Sequence, residues 1–129
     1  MKRLARNLVF IWVLITLPGL SFAGNCIDVI SRKLSNGDAS GVAAHFDHNL
    51  SLSLPGCQSN YSHAQAAMIL NDFFEKHNAQ KATIERTGDN ASSTFAIGKL
   101  VTSKGTYRLY LVVKENKNDC IIKEMRLER

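Results

Sequence analysis

Residues 92–114, SSTFAIGKLVTSKGTYRLYLVVK, decide the fold. Two runs rich in β-branched and aromatic residues flank Ser103-Lys104-Gly105, where the glycine suits a tight reversal that needs a positive φ. The second run, 106–114, is the strongest strand signal in the chain. Folding the pair about Lys104 sets Val101 opposite Tyr107, Lys99 opposite Leu109, Ile97 opposite Leu111 and Phe95 opposite Val113. Strand side chains alternate between two faces. This register therefore gives one mostly apolar face, directed at the helices, with Lys99 as its charged exception; its long stem can stay buried while the ammonium reaches the rim. Tyr110, Val112, Ala96 and Leu100 fall on the other face with Arg108 and Lys114. That face is less polar than an ordinary solvent surface and predicts a cover, here a second copy docked through it to form a homodimer.

Residues 120–128 supply the neighbouring strand. The preferred register sets Met125 opposite Leu109 and Leu127 opposite Tyr107, buries Ile121, Met125 and Leu127, and turns Glu124 outward. A one-residue slip would reverse every side chain. It would bring Glu124 beside Leu109 and within reach of Lys99, and a buried pair of that kind shifts both pKa values. On the N-terminal side, residues 81–87, KATIERT, alternate weakly as one more strand.

The longest helix precedes these strands. Ser62 and Gln65 form a capping-box pair, and Ala66, Ile69, Leu70, Phe73 and Phe74 build one apolar face as far as His77. Leu50, Leu52 and Leu54 alternate with serines as a half-buried strand, Pro55-Gly56 turns the chain, and residues 57–61 return. Two shorter helices come first, at 25–35 with Ile27, Ile30 and Leu34 inward, and at roughly 39–46; Asn36-Gly37 separates them. The order of helix, helix, hairpin, long helix and four strands is α+β with a mostly antiparallel sheet, not a βαβ repeat.

The first 23 residues read as an address. Lys2, Arg3 and Arg6 precede a 13-residue apolar run, Leu8–Leu20, and Ser21-Phe22-Ala23 offers a cleavage site after Ala23. The run is shorter than the about 20 residues of a membrane span, and Pro18-Gly19 would break a helix. Stable membrane insertion after cleavage is not expected. Residues 24–129 would then be exported to the periplasm or exterior as a single α+β domain. Their 13 basic and 11 acidic residues carry net +2, against +5 for the whole chain. These charges are interspersed, without the concentrated phosphate-binding patch of a nucleic-acid reader.

Export also permits disulfides. Cys26, Cys57 and Cys120 allow one, with three pairings open and one thiol left over. Their spacing excludes a CxxC redox pair and lacks the close ligand pairs of a zinc site. His45 and His48, with Asp47, could approach a metal only if one helix ran through them; solvated or locally bonded polar residues are the expected reading. No metal, cofactor or catalytic set is expected, and no phosphate loop or nucleophile elbow is present. Lys99, Tyr107 and Glu124 are the candidate ligand-contacting residues.

The segments YSHAQAAMILNDFF, 61–74, and GKLVTSKGTYRLYLVVK, 98–114, together with the order of elements, resemble a family of small exported, uncharacterised domains common in Bacteroidetes. That family is placed in the nuclear transport factor 2-like, cystatin-like superfamily. The resemblance covers almost all of residues 24–129. It implies helices packed into a strongly curved, mostly antiparallel sheet, a cone. It carries over no activity, ligand or catalytic set. The wider superfamily includes isomerases and dehydratases that use Asp, His and Tyr inside the cone, but no motif of theirs aligns here. The sequence thus predicts a non-catalytic exported domain that binds a small ligand or protein partner. An isomerase- or dehydratase-like pocket is the alternative, and it would need convergent ionisable groups such as Lys99 and Glu124.

Overall fold

Ile27, Ile30 and Leu34 recur at three- and four-residue steps, and all three are buried beneath α1, Cys26–Ser35. The computed structural model describes residues 26–116 and 119–129; the expected leader, 1–23, lies outside them. Gly37, at φ 67°, ends α1: its amide reaches Leu34 O and the next amide, of Asp38, reaches Lys33 O. Asp38 then caps α2, Ala39–Ala43, by accepting from the Gly41 amide at 2.9 Å. The second helix is shorter than expected, because residues 46–49 already belong to a strand.

That strand is β1, Phe46–Leu54, with Leu50, Leu52 and Leu54 inward as predicted. It returns as β2, Cys57–Ser62, and the capping box of Ser62 and Gln65 opens α3, His63–Lys76. Strands β3 (Ala79–Asp89), β4 (Thr94–Thr102), β5 (Gly105–Asn116) and β6 (Asp119–Glu128) follow. They form one open six-stranded sheet in the order β2-β1-β6-β5-β4-β3. Every neighbouring pair is antiparallel except β1 and β6, which run parallel. Breaks in register within β1, β3 and the β5/β6 pair add twist and bend the sheet into a curve around the helices. The α3 helix carries the chain from the β2 edge toward the β3 edge across the inner face.

The hairpin register differs by one residue from the expectation. The turn is two residues long, Ser103-Lys104, so Thr102 faces Gly105, Leu100 faces Tyr107, Lys99 faces Arg108 and Ile97 faces Tyr110. Thr102 locks this turn: its hydroxyl donates to Gly105 O at 2.8 Å and accepts from the Lys104 amide at 3.1 Å. As a consequence Ala96, Gly98, Leu100 and Thr102 point inward, while Phe95, Ile97, Lys99 and Val101 join Tyr110 and Val112 on the outer face. The inward set is small where α1 packs over the sheet. A Cβ on Gly98 would strike the carbonyl oxygen of Thr83, so the residue must be glycine at this crossing.

The register of the last strand also differs from the expectation, by two residues. Leu127 faces Leu109 and Met125 faces Leu111, so both are buried as expected, one pair displaced. Between the Val112–Glu124 and Val113–Ile122 pairs the strand bulges at Lys123. The bulge turns Ile122 into the core and leaves Ile121, expected inside, only half-buried.

Among the described residues the inner face is lined with apolar side chains. Leu50, Leu52, Leu100, Leu109, Leu111, Val113, Ile122, Met125 and Leu127 meet Ile30, Leu34, Val42, Leu70, Phe73 and Phe74 from the helices. Each such side chain contributes about 1.5–3 kcal/mol on burial. A disulfide joins Cys26 to Cys120, with Cα atoms 5.6 Å apart and a sequence separation of 94, and fastens α1 to the start of β6. Cys57 is the remaining free thiol.

Candidate functional site

The outer sheet face is built from alternate residues of the same strands. One cross-strand row runs Arg86 (β3), Ile97 (β4), Tyr110 (β5), Arg126 (β6), each residue the register partner of the next. The adjoining rows are Gly88–Phe95–Val112–Glu124 and Thr83–Lys99–Arg108–Glu128. Strands are about 4.8 Å apart, so two guanidiniums bracket an apolar pair. Phe95, Ile97, Val101, Tyr110 and Val112 are all half-buried, not covered. The Phe95 ring occupies the space a Cβ on Gly88 would need, so the glycine lets the aromatic lie over edge strand β3.

Charge on this face is unevenly paired. Arg126 donates to Glu124 Oε2 from Nη2 at 3.0 Å and from Nε at 3.2 Å, approaches Glu128 at 3.8 Å, and lies over the Tyr110 ring at 4.9 Å. The hydrogen bonds to Glu124 raise the already high pKa of Arg126. Lys99 pairs with Glu85 at 3.4 Å. The three glutamates are thus committed to Arg126 and Lys99. Among the described residues, Arg86 and Arg108 have no ion pair. They line, with Ile97, Tyr110, Arg126 and Glu128, an open depression of about 200 Å³.

The three residues singled out from sequence do not converge. Lys99 and Glu124 both lie on the outer face, two strands and two rows apart, each with another partner. The one-residue change in the hairpin is what takes Lys99 out of the apolar layer. Tyr107 is on the inner face, 3% exposed. Its ring meets Phe73 and His77 edge-on at 5.5 and 5.7 Å, and Arg129 lies over it at 5.2 Å. His77 stacks on Phe73 at 4.1 Å, and its Nδ1 lies 2.9 Å from the Phe73 carbonyl at the end of α3. The site residues sequence reasoning missed are Arg86 and Arg108. Their signal is not local: Arg86 stands between Glu85 and Thr87 in the chain and meets its apolar neighbour Ile97 only across strands, so it is interpretable only once the strand order is known.

Several other polar groups have local partners. His45 is in the turn before β1; its Nδ1 faces Cys120 O at 2.9 Å, and Lys33 Nζ lies 3.1 Å from its Nε2. His48 is in β1, so no helix joins the two histidines. His63 Nδ1 lies 3.0 Å from Phe46 O. Lys123 reaches Asp47 at 2.7 Å; that hydrogen bond, with the His48 amide, holds the Asp47 carboxyl below its ordinary value. Cys57 Sγ and Tyr61 OH are 3.3 Å apart, and the contact raises the Tyr61 phenol. Among the described residues no group of three or more His, Cys, Asp or Glu side chains could hold a metal, and no helix is long and apolar enough to cross a membrane.

Residues 27–128 match the profile of a domain of unknown function, DUF4783. The chain belongs to the DUF4783 family. Two solved DUF4783 proteins share the fold. One from Bacteroides uniformis ATCC 8492 is 18% identical at a TM-score of 0.74, over 81% of this chain and 97% of that one. One from Bacteroides ovatus ATCC 8483 is 21% identical at 0.72, over 78% and 92%. An NTF2-like protein of unknown function from Cytophaga hutchinsonii ATCC 33406 is 7% identical at 0.57, over 84% and 92%. The DUF4783 chain therefore has the NTF2-like cone that its sequence resembled. No curated protein matches it.

Proposed function

We propose that this DUF4783 protein is an exported, non-catalytic binding domain whose working surface is the outer face of the sheet. One observation carries the reading. The inner face is packed with apolar side chains from both layers, whereas the outer face leaves a connected patch of Phe95, Ile97, Tyr110 and Val112 only half covered, with half-buried Val101 beyond the Lys99–Arg108 row. An exposed apolar strip rimmed by charge marks an interaction surface. The isomerase- or dehydratase-like alternative needs ionisable groups converging inside the cone; Lys99 and Glu124 lie on its outside, and Tyr107 is enclosed by Phe73, His77 and Arg129.

Export is supported by the leader-like segment 1–23 and by the Cys26–Cys120 bond, which belongs in an oxidising compartment. A second copy of the chain covers the Phe95–Val112 end of the patch, where the row ends in Gly88 and its one charge, Glu124, is already paired with Arg126. Sedimentation velocity on the purified protein tests this. The expected result is twice the chain mass, falling to one chain in Phe95→Asp with the unfolding midpoint retained. A parent protein that is monomeric at high micromolar concentration contradicts the pairing.

A further inference from the structure

We infer that the depression between Arg86, Ile97, Tyr110 and Arg108 is a binding site for a small carboxylate with a flat apolar body. The inference rests on the outer face being the working surface, but not on two copies meeting there.

The floor comes first. Ile97 and Tyr110 are direct cross-strand partners, both half-buried, and they present an aliphatic and an aromatic surface side by side. Their inward neighbours, Ala96, Gly98, Leu109 and Leu111, are buried against the helices, so the floor is held by the core and not by loops. A planar hydrocarbon body laid there exchanges water for apolar contact. The Tyr110 ring already has a guanidinium on it, that of Arg126, and this narrows the open part to the Arg86 and Arg108 sides.

The charges decide the chemistry of the guest. Arg108 stands opposite Glu128 in the ladder, yet Glu128 Oε2 is directed to Arg126, which Glu124 also engages. Glu85 is directed to Lys99. Local pairing therefore neutralises Arg126 and Lys99 and leaves Arg86 and Arg108 with open donor forks. A guanidinium offers planar, paired N–H groups that match a carboxylate. Two of them at the edge of an apolar floor recognise an anion attached to a hydrophobic plane. A neutral molecule of the same shape would leave both forks to water. A compact anion would leave the floor to water. A depression of about 200 Å³ suits a single-ring guest, not a folded partner.

Benzoate is the probe, titrated calorimetrically into the purified protein at low salt. Saturable one-site binding is expected, with benzamide showing none and inorganic phosphate binding at least tenfold more weakly. Arg86→Gln and Arg108→Gln should each weaken benzoate about tenfold, while Lys114→Gln, a cation of the same face outside the depression, leaves it unchanged. Arg108→Lys keeps charge and packing but loses the fork, so it guards against a variant that fails to fold; it should weaken binding several-fold. Equal affinity for benzoate and benzamide would overturn the anion site. Phosphate as tight as benzoate would overturn the apolar floor. Full affinity in both glutamine variants would overturn the assignment to these residues. Sedimentation in the same buffer separates this from the pairing of copies: monomeric protein that binds benzoate removes the dimer and keeps the site, and dimeric protein that does not bind it does the reverse.

Discussion

The guanidinium of Arg126 lies 4.9 Å above the ring of Tyr110 while donating to Glu124 at 3.0 Å, so one cation serves an aromatic face and a carboxylate at once. The two contacts fix Arg126 and fill the β6 side of the floor. Glu124→Gln removes the carboxylate and leaves the stacking. Both partners are partly exposed, at 28% and 43% of their side chains, so stability should fall by less than about 1 kcal/mol. Benzoate affinity should rise several-fold as a third guanidinium becomes available. Denaturant titration and calorimetry on the same sample read both.

Gly98 and Gly88 are expected to respond differently to alanine. At Gly98 the new methyl meets the backbone oxygen of Thr83, which cannot move without the strand. Gly98→Ala should cost about 2–3 kcal/mol or prevent folding. At Gly88 it meets the Phe95 ring, a side chain able to swing away. Gly88→Ala should cost about 1 kcal/mol or less, and the displaced ring should weaken association through the outer face. Urea unfolding with sedimentation distinguishes the two.

The Cys26–Cys120 bond closes nearly the whole described chain into a loop. In the chain-entropy account a loop of this length contributes about 4–5 kcal/mol. Cys26→Ser with Cys120→Ser should lower the unfolding free energy by most of that amount. Thiol titration of the denatured, unreduced protein should find one group, Cys57, and three after reduction. Three before reduction would exclude the bond.

Acid should act on the Asp47–Lys123 contact. The Asp47 carboxyl is held below its ordinary value of 3.8 by the Lys123 hydrogen bond. A depressed carboxylate contributes its full stability above the unfolded pKa and loses it as pH falls through the lower, folded one. Asp47→Asn should therefore flatten the stability profile below about pH 4 and leave the slope above pH 5 unchanged. The contact is partly open to solvent, with Asp47 one-quarter and Lys123 nearly half exposed, so raising the salt concentration should shrink the difference.

Local chemistry was legible in the sequence, and long-range pairing was not. The capping box of Ser62 and Gln65, the inward period of Ile27, Ile30 and Leu34, and the stop at Gly37 depend on neighbours a few residues away, and each formed as its pattern dictates. The family resemblance supplied the cone. The hairpin was displaced because a Thr102 hydroxyl, not glycine position alone, selects a two-residue turn; that single step exchanged the two faces of β4 and moved Lys99 outside. The bulge at Lys123 has no local signature, since it answers to Asp47 and His45 across the sheet. The parallel pairing of β1 with β6 joins the first strand to the last. The row Arg86–Ile97–Tyr110–Arg126 draws on four strands spread over 41 residues, so its members share a face only after the strand order is set.

Two-dimensional NMR of the purified protein during benzoate titration tests most directly which face of the sheet does the work. Shifts should be confined to the side chains of Arg86, Arg108, Ile97 and Tyr110, with the methyls of Leu70, Leu100 and Leu109 unmoved. Shifts centred on those inner leucines, with the arginines silent, would mean that the cone opens around its ligand and would contradict the account.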